Sequence, residues 1–279
     1  MISNIIESLL LEIDEELKKT ILNYSGYIPD ILYDGMLYSC FGGGKRIRPL
    51  LFLLSCQAFG LEKKELFKIA VSIELIHSYS LVHDDLPGMD NDLIRRGKAS
   101  VHNKFGQGMA ILIGDALLNC AYETLFEITK ECNKYASIAN YISRKAGVLG
   151  MIGGQVKDIQ ESIPDSLDQI LGIYDGKTCA LFEAAIASPA VFLNISKDNL
   201  NLLEKFSNTV GKIFQINDDF LDHRHKSEKI NIIKIIGEDN TKSLFNRLKN
   251  DLFLLADQLC LTNSLLWNAI ISLLNIKTD

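Results

Sequence analysis

The chain has 279 residues, is 47% hydrophobic and 23% charged, and carries a formal net charge of −6 with a sequence pI near 5.5. An acidic chain without a general basic surface excludes broad nucleic-acid binding, so any anionic ligand must be met by local clusters of lysine and arginine. Six cysteines without a CxxC pair argue against a zinc site or a disulfide framework, and for reduced thiols in a cytoplasmic protein.

Apolar residues recur at helical spacing along nearly the whole chain, with no sustained period-two alternation, so the expected fold class is all-α, in one domain spanning 1–279. The pattern predicts helices over 2–23, 29–41, 47–59, 63–86, 106–130, 134–156, 165–190, 197–224, 239–259 and 263–276. Breaks are expected at Gly26 and Pro29, Gly42-Gly43-Gly44, Gly60, Pro87-Gly88, Gly153-Gly154, Pro164 and Gly237. The first helix places Ile6, Leu9, Leu10, Ile13 and Leu17 on one side and reads as neither a signal nor a transit peptide. Segments 63–86 and 165–190 are apolar on more than one side, as central members of a bundle should be. No charge-free apolar run reaches about 18 residues, so no membrane span is expected.

Two acidic clusters interrupt this apolar pattern. In LVHDDLPGMDND, Asp84, Asp85, Asp90 and Asp92 crowd together, which destabilises a fold unless a cation is to be held. Asp90 would lie roughly 120° from Asp84 on a straight helix. Pro87-Gly88 breaks the ladder and would let the chain bulge and return. In FQINDDFLD, Asp218 and Asp222 share a helix face, with Asp219 turned about 100° aside. Such carboxylates suit Mg²⁺ bridging to phosphate, and facing clusters across one cavity are expected. Cations gather in GGGKRIRP (Lys45, Arg46, Arg48), after the first cluster (Arg95, Arg96) and in YDGKTCALFEAA (Lys177), enough for more than one polyanion or one large one.

The motifs GGGKRIRP, ELIHSYSLVHDDLPGMDNDLIRRGK, GDALL, GGQVKD, KT and FQINDDFLD stand in this order from about Leu37 to Glu238. In them the chain closely resembles the trans-isoprenyl diphosphate synthases, the polyprenyl synthetase family, and most of all its bacterial farnesyl diphosphate synthases. The resemblance implies the isoprenoid synthase fold, mostly antiparallel helices around a deep central cavity, usually as a homodimer. It implies head-to-tail condensation of isopentenyl diphosphate with dimethylallyl or geranyl diphosphate, with three Mg²⁺ ions per active site held jointly with the allylic diphosphate. Carried over by position, Asp84, Asp85, Asp90, Asp218, Asp219 and Asp222 are metal-motif residues. Arg95, Lys177 and Lys229 match the allylic diphosphate grip, and Lys45, Arg48, His77 and Arg96 the isopentenyl diphosphate site. Thr178 and Gln215 match polar residues lining the reacting carbons, and Asp158 a supporting carboxylate. His83 and His102 read as core or supporting histidines.

Tyr79, five residues before Asp84, stands where the family sets product length. An aromatic there with the two-residue insertion resembles the C15 producers, although an ordinary buried tyrosine fits the position as well. A C20 product and a weakly active or regulatory subunit are the alternatives. A terpene cyclase is disfavoured because His77 and GGGKRIRP supply a second diphosphate site. The chain departs from the family after Asp222, where HRHKSEKINIIKIIGE is shorter than the usual closing loop and Lys229 takes the place of its lysine.

Overall fold

A computed structural model describes residues 2–61, 64–160, 164–224 and 231–276. They fall into two compact units, 1–53 with 62–139 and 54–61 with 140–279. The all-α expectation holds in both, apart from one two-stranded hairpin.

In the first unit, α1 (Ile2–Leu22) turns Ile13, Leu17 and Ile21 wholly inward. Helix α2 (Asp30–Cys40) starts after Pro29, whose fixed φ suits a helix entry. Helix α3 (Ile47–Ala58) follows the glycine run, giving residues 47–53 to this unit and 54–58 to the other. Helix α4 (Leu66–Asp84) is buried on every side, as its all-round apolar sequence requires. The hairpin β1 (Ile94–Arg95) and β2 (Lys98–Ala99) pairs Arg95 with Lys98 across Arg96-Gly97, whose φ of 53° and 75° match a tight two-residue turn. Helices α5 (Val101–Phe105), α6 (Gln107–Glu131) and the start of α7 (Tyr135–Ala146) complete the unit.

By length and composition α6 is, among the described residues, the one helix able to cross a bilayer, but it carries Asp115, Glu123 and Glu127 and packs on α4. Gly114 makes that packing close: a Cβ there would lie 2.1 Å from His83 Nε2.

The second unit contains α8 (Met151–Gln160), α9 (Leu167–Tyr174), a π-helical turn (Asp175–Cys179), α10 (Ala180–Phe192), α11 (Lys197–Arg224), α12 (Ile232–Ile236), α13 (Glu238–Gln258) and α14 (Leu265–Leu273). The segment expected as one helix over 165–190 is therefore three pieces, and 134–156 is two. The latter breaks at Gly147–Gly150, not at Gly153-Gly154.

Gly154 of GGQVKD serves packing instead. A Cβ on Gly154 would lie 2.1 Å from the Lys177 amide nitrogen, and one on Gly176 would lie 2.5 Å from Gly154 Cα. On the other flank, a Cβ on Gly211 of α11 would lie 2.9 Å from Cys179 Cα. The π turn is thus gripped by two helices at backbone distance. Beside it Ile170, Ile173, Tyr174, Ile216, Ile232 and Leu244 form a buried cluster.

Gly154→Ala should destabilise the protein by about 3 kcal/mol through this overpacking. Gly108→Ala, on an open face of α6, should be neutral or slightly stabilising. Urea unfolding compares the two, and equal midpoints would show that α8 can retreat from the π turn.

Candidate active site

The first acidic cluster forms where α4 runs out. The Asp85 amide still donates to Leu81 O at 3.1 Å, then Leu86 N reaches His83 O and the ladder ends before Pro87. The chain loops through Met89, whose amide donates to Leu86 O, and returns so that Asp90 N donates to Asp84 O at 2.8 Å. The left-handed residue in this turn is Asn91, with φ 53°, and not Gly88. Asparagine is among the few side chains that adopt that conformation readily.

The carboxylates of this cluster have different surroundings. Asp84 is half-buried and Asp90 exposed, whereas Asp85 is 2% exposed. Arg95 donates to Asp85 Oδ1 through Nε at 2.9 Å and Nη2 at 2.5 Å, and to Asp92 Oδ2 at 2.9 Å. Burial pulls the Arg95 pKa down, but Asp85, Asp92 and Asp84 more than reverse this, so the guanidinium stays charged.

Arg96 donates from Nη1 to Gly43 O at 2.8 Å. The glycine run has φ of 100°, 130° and 125°, and a Cβ on Gly44 would lie 2.8 Å from Arg96 Nη1. Lys98 donates to the carbonyls of Tyr38 and Phe41, both at 2.5 Å, closing the C-terminus of α2.

Within GGGKRIRP, Lys45 is exposed and Arg48 half-buried. Arg46, grouped with them from sequence as an anion-facing cation, is instead turned inward. It donates through Nε to Asp14 Oδ1 (2.7 Å), through Nη1 to Glu74 Oε1 (2.9 Å) and through Nη2 to Cys40 O (2.6 Å).

Arg48 Nη1 lies 3.4 Å from His77 Nε2. Burial, then the charges of Arg48, Arg96, Arg95 and Arg46, hold the His77 pKa well below its usual value. The imidazole is therefore neutral near pH 7, with one N–H to donate. Tyr79 is 6% exposed with its ring edge-on to His83 at 5.8 Å. His83 donates to Ile111 O at 3.1 Å, and the buried His102 sits 3.1 Å from Ser100 Oγ, so both have local structural partners.

In the second unit the π turn carries Lys177 and Thr178. Lys177 Nζ donates to Asp158 Oδ2 at 2.5 Å, and Thr178 Oγ1 donates to Gln215 Oε1 at 2.8 Å. Gln215 passes the chain on, its amide donating to Asp219 Oδ1 at 3.0 Å. The second oxygen of Asp219 accepts from Tyr174 OH and from the Ile232 amide at 2.9 Å. Asp219 is 3% exposed, and burial raises its pKa against the pull of these donors. It faces inward, while Asp218 is half-buried and Asp222 exposed on the same face of α11.

Tyr174, Asp14 and Glu74 have roles that sequence reasoning missed. No spacing rule links them to their distant partners, although the tyrosine three residues before Lys177 was a visible polar interruption. Lys229 and Lys226 lie outside the described residues.

Among the described residues no three His, Cys, Asp or Glu side chains already form a metal cage. The outward carboxylates of each motif supply hard oxygen donors, few in number, which suits a cation that completes its shell with water or phosphate oxygens.

The polyprenyl synthetase family model matches residues 29–251. The chain is 37% identical over 218 residues to the farnesyl diphosphate synthase of Bacillus subtilis, covering 77% of this chain and 73% of that one. It is 39% identical over 215 residues to the geranylgeranyl diphosphate synthase of Cyanophora paradoxa, covering 76% and 71%. The crystal structure of a geranyltransferase from Legionella pneumophila superposes with a TM-score of 0.88 at 27% identity, covering 99% of this chain and 97% of that one.

The depressed His77 pKa has a measurable consequence. With a folded pKa below an unfolded value near 6.5, its contribution to stability is full above that pH and is lost as pH falls through it. Between about pH 7 and pH 5.5 the wild type should lose about 1 kcal/mol more than His77→Gln in urea unfolding. Parallel pH curves would place a charged imidazole in the folded chain.

Proposed function

The chain belongs to the polyprenyl synthetase family and is a prenyltransferase, and from that premise we propose that it condenses isopentenyl diphosphate head-to-tail with dimethylallyl or geranyl diphosphate, in a Mg²⁺-dependent reaction whose main product is farnesyl diphosphate. The observation that carries this reading is the turn after α4, where the Asp90 amide returns to the Asp84 carbonyl with Arg95 beside it. An acidic turn of that form next to a fixed guanidinium suits a divalent cation and a diphosphate together.

In this reading Asp84 and Asp90, and Asp218 and Asp222, hold the metal, while Asp85 and Asp219 anchor each motif from within. When bound, Mg²⁺ would neutralise the charge that develops on the departing diphosphate. Arg95 and Lys177, oriented by Asp85 and Asp158, grip the allylic diphosphate, and Lys229 is assigned to it by resemblance. Lys45, Arg48, Arg96 and the neutral N–H of His77 bind the isopentenyl diphosphate.

Thr178 spends its hydroxyl proton on Gln215, so its oxygen lone pairs remain for the electron-poor allylic carbon. As the allylic C–O bond breaks, the isopentenyl double bond supplies the electrons of the new C–C bond, and a proton leaves to the departing pyrophosphate. No protein nucleophile is needed.

Tyr79 lies about 7.5 Å along α4 from Asp84. Its buried ring, wedged against His83, suits a fixed wall that stops the tail at C15. Relatives of both the C15 and the C20 type stand at similar identity, so C20 is the reading that the product assay tests against. A cytoplasmic homodimer completes the proposal, with exposed Ile111, Leu112 and Phe126 on α6 as apolar surface for a second copy.

Purified protein given isopentenyl diphosphate and geranyl diphosphate should yield a C15 product only with Mg²⁺. Asp84→Ala and Asp218→Ala should each lower turnover at least about a hundredfold without changing the helical circular dichroism; wild-type rates in either would remove that motif from the reaction. Tyr79→Ala should lengthen the product, and an unchanged chain length would place the wall elsewhere.

A further inference from the structure

The glycine run and the residues after it combine two costs at one position. Arg46 has φ 49°, a left-handed conformation that a long side chain rarely adopts. It is also a buried cation, 6% exposed, beside the buried carboxylate of Glu74. Buried ion pairs are weak contributors to stability, because desolvation offsets their attraction. A strained backbone and a buried charge on the same residue therefore need another reason to be retained.

Geometry supplies one. Glu74 and His77 are three residues apart on α4, one turn along the same face. Arg46 reaches Glu74 at 2.9 Å and Arg48 reaches His77 at 3.4 Å. The loop and the first turn of α3 are thereby pinned to α4 at two successive turns. A third tie, to Cys40 O, fixes the loop to the end of α2. The fourth runs to Asp14 on α1, which holds Arg46 Nε at 2.7 Å and is 49% exposed. Burial alone would lower the Arg46 pKa, and Glu74 and Asp14 reverse that, so the pin stays charged.

We propose that Arg46, Glu74 and Asp14 are positioning residues for the isopentenyl diphosphate grip, which makes the N-terminal helix α1 part of that site without touching its ligand. The inference rests on the functional reading above and deepens it. Turning Arg46 inward leaves Lys45 outside and brings Arg48 to His77. With Asp14 removed, the Arg46 fork loses the partner that orients its Nε edge. The strained backbone then has less to hold it, and Lys45 and Arg48 lose their common aim. The allylic diphosphate residues Arg95 and Lys177 have their own carboxylate partners, so they are untouched.

The test uses the full-length chain with Asp14→Ala, Asp14→Glu and Arg46→Lys. Lysine keeps the charge, but its single ammonium nitrogen cannot span the three separate positions that Nε, Nη1 and Nη2 of the guanidinium reach. Calorimetric titration with isopentenyl diphosphate alone, where no reaction occurs, reads the site directly, and steady-state kinetics reads both substrates.

Asp14→Ala should weaken isopentenyl diphosphate binding about five- to tenfold and raise its KM in step, with the KM for geranyl diphosphate and kcat within about twofold. Asp14→Glu should restore most of the loss, and Arg46→Lys should exceed it. If Arg46→Lys fails to fold, Asp14→Ala decides alone. Folded variants that bind within twofold of wild type overturn the inference, as does an equal loss for both substrates, which would mean general loosening. A wild-type protein that neither binds nor elongates isopentenyl diphosphate overturns the functional reading itself, and this inference with it.

Discussion

Chemistry in the second unit depends on backbone touching backbone. Gly154 and Gly176 meet so closely that neither has room for a Cβ, and Gly211 does the same against Cys179. From each contact the polar partner follows one helical turn later. Asp158 is four residues after Gly154 and receives Lys177, and Gln215 is four residues after Gly211 and receives Thr178. One turn further still, Asp219 receives Gln215. Where a pair of helices cannot slide, the side chains one turn along cannot drift either. The sites for the ammonium and the hydroxyl are set by packing before any ligand arrives.

Charge in the first unit follows a related economy, in which cations are aimed by the carboxylates that neutralise them. Arg95 is held by Asp85 and Asp92, and Arg46 by Asp14 and Glu74. His77, buried and hemmed in by guanidinium groups, responds by staying neutral. Asp85 belongs to this scheme, while Asp219 in the second unit is held by neutral donors, Tyr174, Gln215 and the Ile232 amide. Each sits in an acidic motif, yet each is buried and engaged with groups of its own unit. In each aspartate pair one carboxylate, Asp85 or Asp219, is buried and engaged, and its neighbour, Asp84 or Asp218, is only half-buried.

Much of this was legible in the sequence, for identifiable reasons. The helices came from periodicity, which one apolar face per helix imposes. The outward-facing pair Asp218 and Asp222 came from i,i+4 spacing, and the return of Asp90 from the proline that ends α4. The reading failed where local pattern and tertiary contact disagree. Gly153-Gly154 looked like a break because glycine usually punctuates, but here Gly154 is helical to admit another backbone. Gly88 looked like the conformational pivot, whereas Asn91 adopts the left-handed turn. Arg46 looked like its neighbours Lys45 and Arg48, because nothing in GGGKRIRP says which arginine faces in. Its partners lie 32 and 28 residues away, beyond the range of any spacing rule.

The π turn has a consequence for the phase of the chain. A π turn contains one residue more than the α turn it replaces, so α10 is rotated by about 100° from the continuation of α9. A helical wheel drawn over 165–190 superimposes two different faces, and α10 is itself buried at every position from Ala180 to Ala190, which is why that segment looked apolar on more than one side. The extra residue also makes the stretch DGKTC intolerant of shortening. Removing any one of its residues would let the helix run through with more regular hydrogen bonding. Everything beyond the deletion would then turn by about a third of a revolution relative to everything before it. The helix would be better formed, and its two halves could no longer both face their partners.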